Sequence, residues 1–434
     1  MTLAVSDLAR GLTRDQMDQT MAGTPQRLLV VGNGMASVRF LEALSRRAAS
    51  GAFKVTVVGA EDRPAYNRVL LSALLANDVT PSDLELRNAG WYLHNGFELV
   101  AGDPVARIDR SSRVAHLSSG RMIDFDHCVF ATGSNAFKLP VPGIDLPGVI
   151  TFRDLADVAV MEKAVADGQR VAVIGGGLLG IEAAYGLAKR GVAVTLVHVL
   201  DRLMERQLDA AGAALLARAL KHKGVQLALA RQTVCVTGER SANGLRFADG
   251  TELATDLVVC AVGVRPNAAL AKNAGLAVNR GIVVDDLLGG SHPGYYAIGE
   301  CAEHRGTAYG LVEPCYAQAE SLAARLNGES LPFTGMVLST NLKASGVPVF
   351  SAGDFEGGEG CTCSIIEDRR TGLYRKLVFR DTRLVGCVLV GDADDGLWLL
   401  DLIRRGADIT GMRSSLVHGR DFSEALLADA RHAA

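Results

Sequence analysis

The sequence predicts an α/β protein: two Rossmann-like domains, the second inserted into the first, followed by a small α+β domain. Three observations predict it. An apolar strand runs through a glycine turn into a helical pattern twice, starting at Arg27 and at Arg170. The copies align residue by residue, Val31 with Ile174, Gly32 with Gly175, Gly34 with Gly177 and Ser37 with Gly180, and both end in Asp, four residues, Ala-x-Gly (Asp126 to Gly133, Asp256 to Gly263). An internal duplication of whole domains is the simplest account. Beyond Pro332 and Gly335 the pattern changes to short alternating strands.

Each element follows from local pattern. Residues 27–31 (RLLVV) form a strand that enters Gly32-Asn33-Gly34-Met35-Ala36-Ser37, then a helix to about Arg47, a strand at 54–58, and Gly59-Ala60-Glu61. The second copy has a strand at 170–174, the turn Gly175-Gly176-Gly177-Leu178-Leu179-Gly180, a helix to about Arg190, and a strand at 193–197 ending before His198. A strand at 295–298 runs into Gly299-Glu300-Cys301, and a helix follows over about 316–326. Strands at 347–352, 363–368, 375–380 and 383–390 make the last domain. The expected organisation is an N-terminal extension (1–26), a first domain in two parts (27–145 and 266–330), an inserted domain (146–265), an α+β domain (331–410) and a helix or tail (411–434).

Composition narrows the function. Glycine accounts for 48 of 434 residues, about 11% against a usual value near 7%, with no collagen-like period or Gly/Ser tract, so the surplus marks particular backbone positions. The net charge of −3 argues against a nucleic-acid or anionic-membrane partner. Without a secretory h-region or an apolar run of about 18 residues, a cytoplasmic protein with eight reduced cysteines is expected. Cys361 and Cys363, two apart on a strand, share a face but fall short of the roughly four ligands a zinc or iron–sulfur site needs, so no metal is expected.

The glycine turns carry the chemistry. A dinucleotide fingerprint needs one small residue for the tight turn, one for approach of backbone to pyrophosphate, and one for packing of helix on strand. The helix N-terminus then offers free N–H groups to the phosphates. Both copies have the strand–turn–helix context that supports the motif. In the first, Glu61 suits a ribose hydroxyl. In the second, His198 stands where an acid would select NADH, and with Arg202 nearby the choice between NADH and NADPH is open. Two nucleotide folds suggest one bound flavin and one exchangeable nicotinamide, with hydride passing between them.

These residues, together with Ala131-Thr132-Gly133 and Ala297-Ile298-Gly299-Glu300, resemble the glutathione-reductase-like flavoproteins with two dinucleotide-binding domains. A narrower resemblance rests on Tyr66-Asn67-Arg68-Val69-Leu70-Leu71-Ser72, Leu203-Met204-Glu205-Arg206-Gln207-Leu208-Asp209, Gly263-Val264-Arg265-Pro266-Asn267 and Gly310-Leu311-Val312. It extends through Lys343 to Asp354 and Leu384 to Asp392. These stretches look like the FAD/NADH module of assimilatory nitrite reductase large subunits and the stand-alone diaphorase subunit of bacterial assimilatory nitrate reductases. The resemblance implies FAD on Gly32, Gly34, Met35, Ala36, Ser37, Glu61, Arg68, Ala131, Thr132, Gly133, Gly299 and Glu300, where Glu300 replaces the family's usual Asp at the ribityl hydroxyl. It implies NADH on Gly175, Gly177, Leu178, Leu179, Gly180, Glu182, His198 and Gly263, with Glu182 near the nicotinamide carboxamide.

Hydride transfer requires positioning, with nicotinamide C4 about 3–3.5 Å from the flavin, and no protein nucleophile or general base, so no catalytic residue is assigned. No cysteine follows Cys387, so a four-cysteine cluster and nitrite reduction within this chain are not expected. Electrons would pass to a partner carrying iron–sulfur with molybdenum or sirohaem. The alternatives are an NADH-dependent ferredoxin or rubredoxin reductase and a non-catalytic flavin-binding regulator. A disulfide reductase or a cysteine-dependent peroxidase is disfavoured because no cysteine precedes Cys128.

Overall fold

A computed structural model describes residues 24–48, 51–342 and 346–432; the expectations for 1–23, for 343–345 of the C-terminal resemblance and for 433–434 lie outside them. The chain divides into two compact units.

Of the described residues, the first unit takes those within 24–67, 85–135 and 265–335. Its centre is a five-stranded parallel sheet in the order Tyr295–Ala297, His127–Phe130, Gln26–Val31, Phe53–Val58, Glu98–Val100. Leu28 to Val31 and Val55 to Val58 are buried as continuous runs, as strands covered on both faces must be. Val31 lies opposite Val58 on one side and Phe130 on the other, so three strands end level beside the first glycine turn. The helix Met35–Arg47 buries Phe40, Leu41 and Leu44 in the core shared with Leu322 and Ala323 of the helix Val312–Leu326.

Of the described residues, the second unit takes those within 68–84, 136–264 and 336–432. It repeats the parallel sheet in the order Gln226–Ala228, Val194–Val197, Val171–Ile174, Leu257–Cys260, Val149–Thr151. The segment Arg68–Leu84, which pattern alone assigns to the 27–145 block, packs in this unit: a Cβ on Gly186 of the helix Leu178–Lys189 would stand 3.2 Å from the Leu75 side chain.

The C-terminal sheet is antiparallel, in the order Ser339–Leu342, Val349–Gly353, Arg383–Val390, Leu373–Arg380, Cys361–Asp368. Sequence pattern missed the polar strand Ser339–Leu342 and the helix Gly396–Arg405, whose Leu399, Leu400 and Leu402 close a core over Phe350, Leu377 and Leu389. This sheet is tied to the second nucleotide fold through Asp209. Asp209 caps the helix Ala210–His222 and also accepts from the Tyr374 hydroxyl at 2.6 Å, with the Lys376 ammonium 3.3 Å away. Cys361 and Cys363 lie on one strand, as expected, with Cys361 Sγ 3.5 Å from an Arg380 guanidinium nitrogen.

The duplication extends to side-chain detail. The Asp126 carboxylate accepts from the backbone N–H and guanidinium of Arg27, both at 2.8 Å. Asp256 does the same to Arg170 at 2.9 and 2.7 Å. Each pair locks the first strand of its unit to the strand that ends in Ala-x-Gly.

Candidate dinucleotide sites

Both turns are built by sterics. Gly32 has φ +109° and Gly175 has φ +124°, and a Cβ at either would lie 2.2 Å from the carbonyl oxygen of Ala131 or Ala261. Only glycine satisfies both the backbone conformation and the contact. A Cβ on Gly180 would lie 1.9 Å from the Gly175 carbonyl oxygen, which is why the helix Leu178–Lys189 can pack so closely on its own turn. Ser37 takes the equivalent place in the first copy and is fully buried.

The second glycine of each turn behaves differently. A Cβ on Gly34 or Gly177 would meet nothing within 4 Å. Each of these residues is the N-cap of its helix, with no side-chain cap and no acid in the first turn. The first N–H groups, with the positive end of the helix dipole behind them, therefore have no side-chain cap to satisfy them. In the first turn, the buried Asn33 Nδ2 and Ser37 Oγ are also without hydrogen-bond partners. This combination fits a pyrophosphate in each turn.

In the first unit, Glu61 lies just past the strand Phe53–Val58 and accepts from the Tyr66 hydroxyl at 2.9 Å. The Thr132 hydroxyl donates to the Asn267 carbonyl at 2.6 Å, fixing the Ala131-Thr132-Gly133 turn. Glu300 accepts from the Ser134 hydroxyl at 2.8 Å, in a 3-10 turn that begins at Gly299. Gly299 has φ +81°, and its Cβ would come within 3.0 Å of the Ala36 methyl, so this turn abuts the start of the helix Met35–Arg47. The unit thus brings together Gly32, Gly34, Met35, Ala36, Ser37, Glu61, Ala131, Thr132, Gly133, Gly299 and Glu300. Sequence reading missed two members. Asn33 uses its Oδ1 to accept from the Tyr92 hydroxyl at 2.8 Å. Gln318, fully buried, accepts the Gly299 N–H at 2.8 Å and leaves its Nε2 unpartnered. A glutamine on the apolar face of a helix was the available signal.

Arg68 belongs to the second unit, where its guanidinium donates to the Arg153 carbonyl at 3.0 Å. There the helix Leu178–Lys189 begins with Leu178, Leu179 and Gly180, and Glu182 follows beyond the first turn, so it is not a first-turn acid paired with the helix dipole. Burial pushes its carboxyl up to about 7, opposed by a hydrogen bond from Ser72, a contact that no sequence signal suggested. Gly263, at φ +114°, has open space at its Cβ position. His198 is buried: its Nδ1 accepts the Gly176 N–H at 3.0 Å, and its ring fills the place a Gly176 side chain would need.

Residues 26–319 match the pyridine nucleotide-disulphide oxidoreductase family. The chain belongs to that family. Residues 339–407 match the rubredoxin NAD+ reductase C-terminal domain. Among its relatives, a nitrite reductase [NAD(P)H] of Bacillus subtilis is 45% identical over 89% of this chain and 48% of its own length. An assimilatory nitrate reductase electron transfer subunit of the same organism is 39% identical over 90% of this chain and 51% of its own. The chain therefore spans about half the length of these curated relatives. A ferredoxin reductase from Rhodopseudomonas palustris superposes with a TM-score of 0.79 at 27% identity, covering 86% of this chain and 93% of that one. This pyridine nucleotide-disulphide oxidoreductase is an oxidoreductase with FAD and a nicotinamide dinucleotide as cofactors, and its two open turns fit them. Yet no cysteine precedes Cys128, which is buried, so the disulphide for which the family is named has no counterpart ahead of that strand. No described helix is long and apolar enough to cross a membrane.

Proposed function

We propose that this chain oxidises NADH and hands the electrons to a separate redox centre, as the electron-transfer arm of an assimilatory nitrate or nitrite reductase in the cytoplasm. The observation that carries the reading is the pair of open, uncapped glycine turns, one per unit, in a chain whose relatives bear those names. Bound FAD supplies a carrier that takes an electron pair and releases electrons singly, which suits an iron–sulfur acceptor with molybdenum or sirohaem.

The chain's residues bind and orient. Gly32 and Gly34 admit the flavin pyrophosphate, the N–H groups from Met35 to Ser37 face it, Glu61 accepts from the ribose, and Glu300 accepts from the ribityl chain. Gly175, Gly177, Gly180 and Gly263 admit NADH, and Glu182 stands beside the carboxamide. Anaerobic NADH added to the yellow protein should bleach it, and a purified nitrate or nitrite reductase catalytic subunit should restore the colour. Failure to bleach refutes the enzyme reading and leaves a binding role.

A second reading, a ferredoxin or rubredoxin reductase, is favoured by the C-terminal match over residues 339–407 and by the Rhodopseudomonas relative. Reoxidation by a ferredoxin, and not by either catalytic subunit, would select it.

A further inference from the structure

The second turn lacks the strand-end acid that normally meets the adenosine ribose; His198 takes its place. The structure shows what that histidine does. Its Nδ1 accepts the Gly176 N–H, so in the neutral ring the proton sits on Nε2, which lies 3.2 Å from Glu205 Oε2 and donates to it. The histidine ring is buried under the turn, whereas the Glu205 side chain keeps about a quarter of its surface exposed (26%).

The Glu205 segment is itself fastened to the turn. The Met204 N–H donates to the Gly176 carbonyl at 3.0 Å, and a Cβ on Gly176 would lie 2.9 Å from Leu203 Cδ2. Met204 is fully buried with φ +52°, a left-handed conformation that a non-glycine residue holds only where its surroundings impose it. The Gln207 and Leu208 N–H groups both return to the Met204 carbonyl at 2.8 Å and close the loop. A strained, doubly tied loop thus delivers one carboxylate to the rim of the phosphate turn. Of the nearby cations, Arg202 lies 3.7 Å from Glu356 and Arg206 is exposed.

We infer that Glu205 replaces the missing strand-end acid: it accepts from the adenosine ribose hydroxyls of NADH and repels the 2′-phosphate of NADPH. The displaced acid would make a turn that carries histidine at the strand end selective for NADH. The inference rests on the reading that the second turn binds a nicotinamide dinucleotide.

Binding of NAD+ and NADP+ to the oxidised flavin-loaded chain, measured by titration calorimetry, tests it without turnover. The wild type should bind NAD+ at least about tenfold tighter than NADP+. Glu205→Gln, which keeps the size and an acceptor for His198, should lose about tenfold in NAD+ affinity and bring the two nucleotides within about threefold of each other. Glu205→Asp, which keeps the charge, should retain the preference, and its retention guards against a Gln variant that fails to fold. Unchanged discrimination in Glu205→Gln, with NAD+ binding intact, overturns the inference alone. Absence of binding of either nucleotide to the wild type overturns the nicotinamide reading and this inference with it.

Discussion

Replacing Glu182 by Gln should raise stability at alkaline pH and leave it nearly unchanged in acid. Burial holds the folded carboxyl near 7, against 4.5 for the free side chain. Below about pH 4.5 the group is neutral in both the folded and unfolded chain, and Glu and Gln differ little. Between that pH and 7 the unfolded chain releases its proton while the folded chain keeps it, so wild-type stability falls relative to the variant. Above about pH 7 both states are ionised and the difference levels off. At 1.36 kcal/mol per pH interval of one, the rise from 4.5 to about 7 corresponds to roughly 3 kcal/mol, and the partial exposure of Glu182 lowers the expectation to about 1–3 kcal/mol. The assay is urea unfolding of the flavin-loaded, nucleotide-free proteins at a series of pH values from about 5 to 9, read as the difference between variant and wild type so that all other titrations cancel. A difference that stays flat over that range, or a Gln variant less stable than wild type at the alkaline end, would refute the reasoning.

The two glycine classes should separate cleanly. Gly177→Ala, whose methyl enters open space, should leave the melting temperature in place but weaken NAD+ binding at least about tenfold in a titration. Gly180→Ala, whose methyl would stand 1.9 Å from a backbone oxygen, should cost about 1–3 kcal/mol in chemical denaturation as well. Gln318→Leu strands the Gly299 N–H and should cost about 1–3 kcal/mol with faster flavin loss in dialysis. Asp256, held down to about 2 by the Arg170 guanidinium and N–H, contributes stability that is present above its ordinary value near 3.8 and is lost as pH falls through about 2. Because the pair is well exposed, Asp256→Asn should cost less than about 1 kcal/mol at neutral pH and nothing in strong acid, as measured by thermal melting.

Much of this protein was legible because the decisive constraints are local. A strand that must turn sharply into a helix requires glycine at Gly32 and Gly175, and the requirement is visible in the chain itself. The paired Asp126 and Asp256 were legible through repetition, although their partners, Arg27 and Arg170, appeared only when the strands aligned. The strand Ser339–Leu342 escaped because its polar residues carry no alternation; pairing with Val349–Gly353 makes it a strand.

By itself, then, the sequence determined the two nucleotide folds, the glycines at their turns and the absence of cysteine before Cys128. Tertiary structure decided which polar groups serve those turns. Gln318 under Gly299, Ser72 against Glu182, and His198 between Gly176 and Glu205 each depend on contacts between residues distant in the chain or on a ring turning inward. Backbone conformation is set within a few residues and leaves its mark on composition, whereas a buried hydrogen bond is set by where the packed core brings its partners.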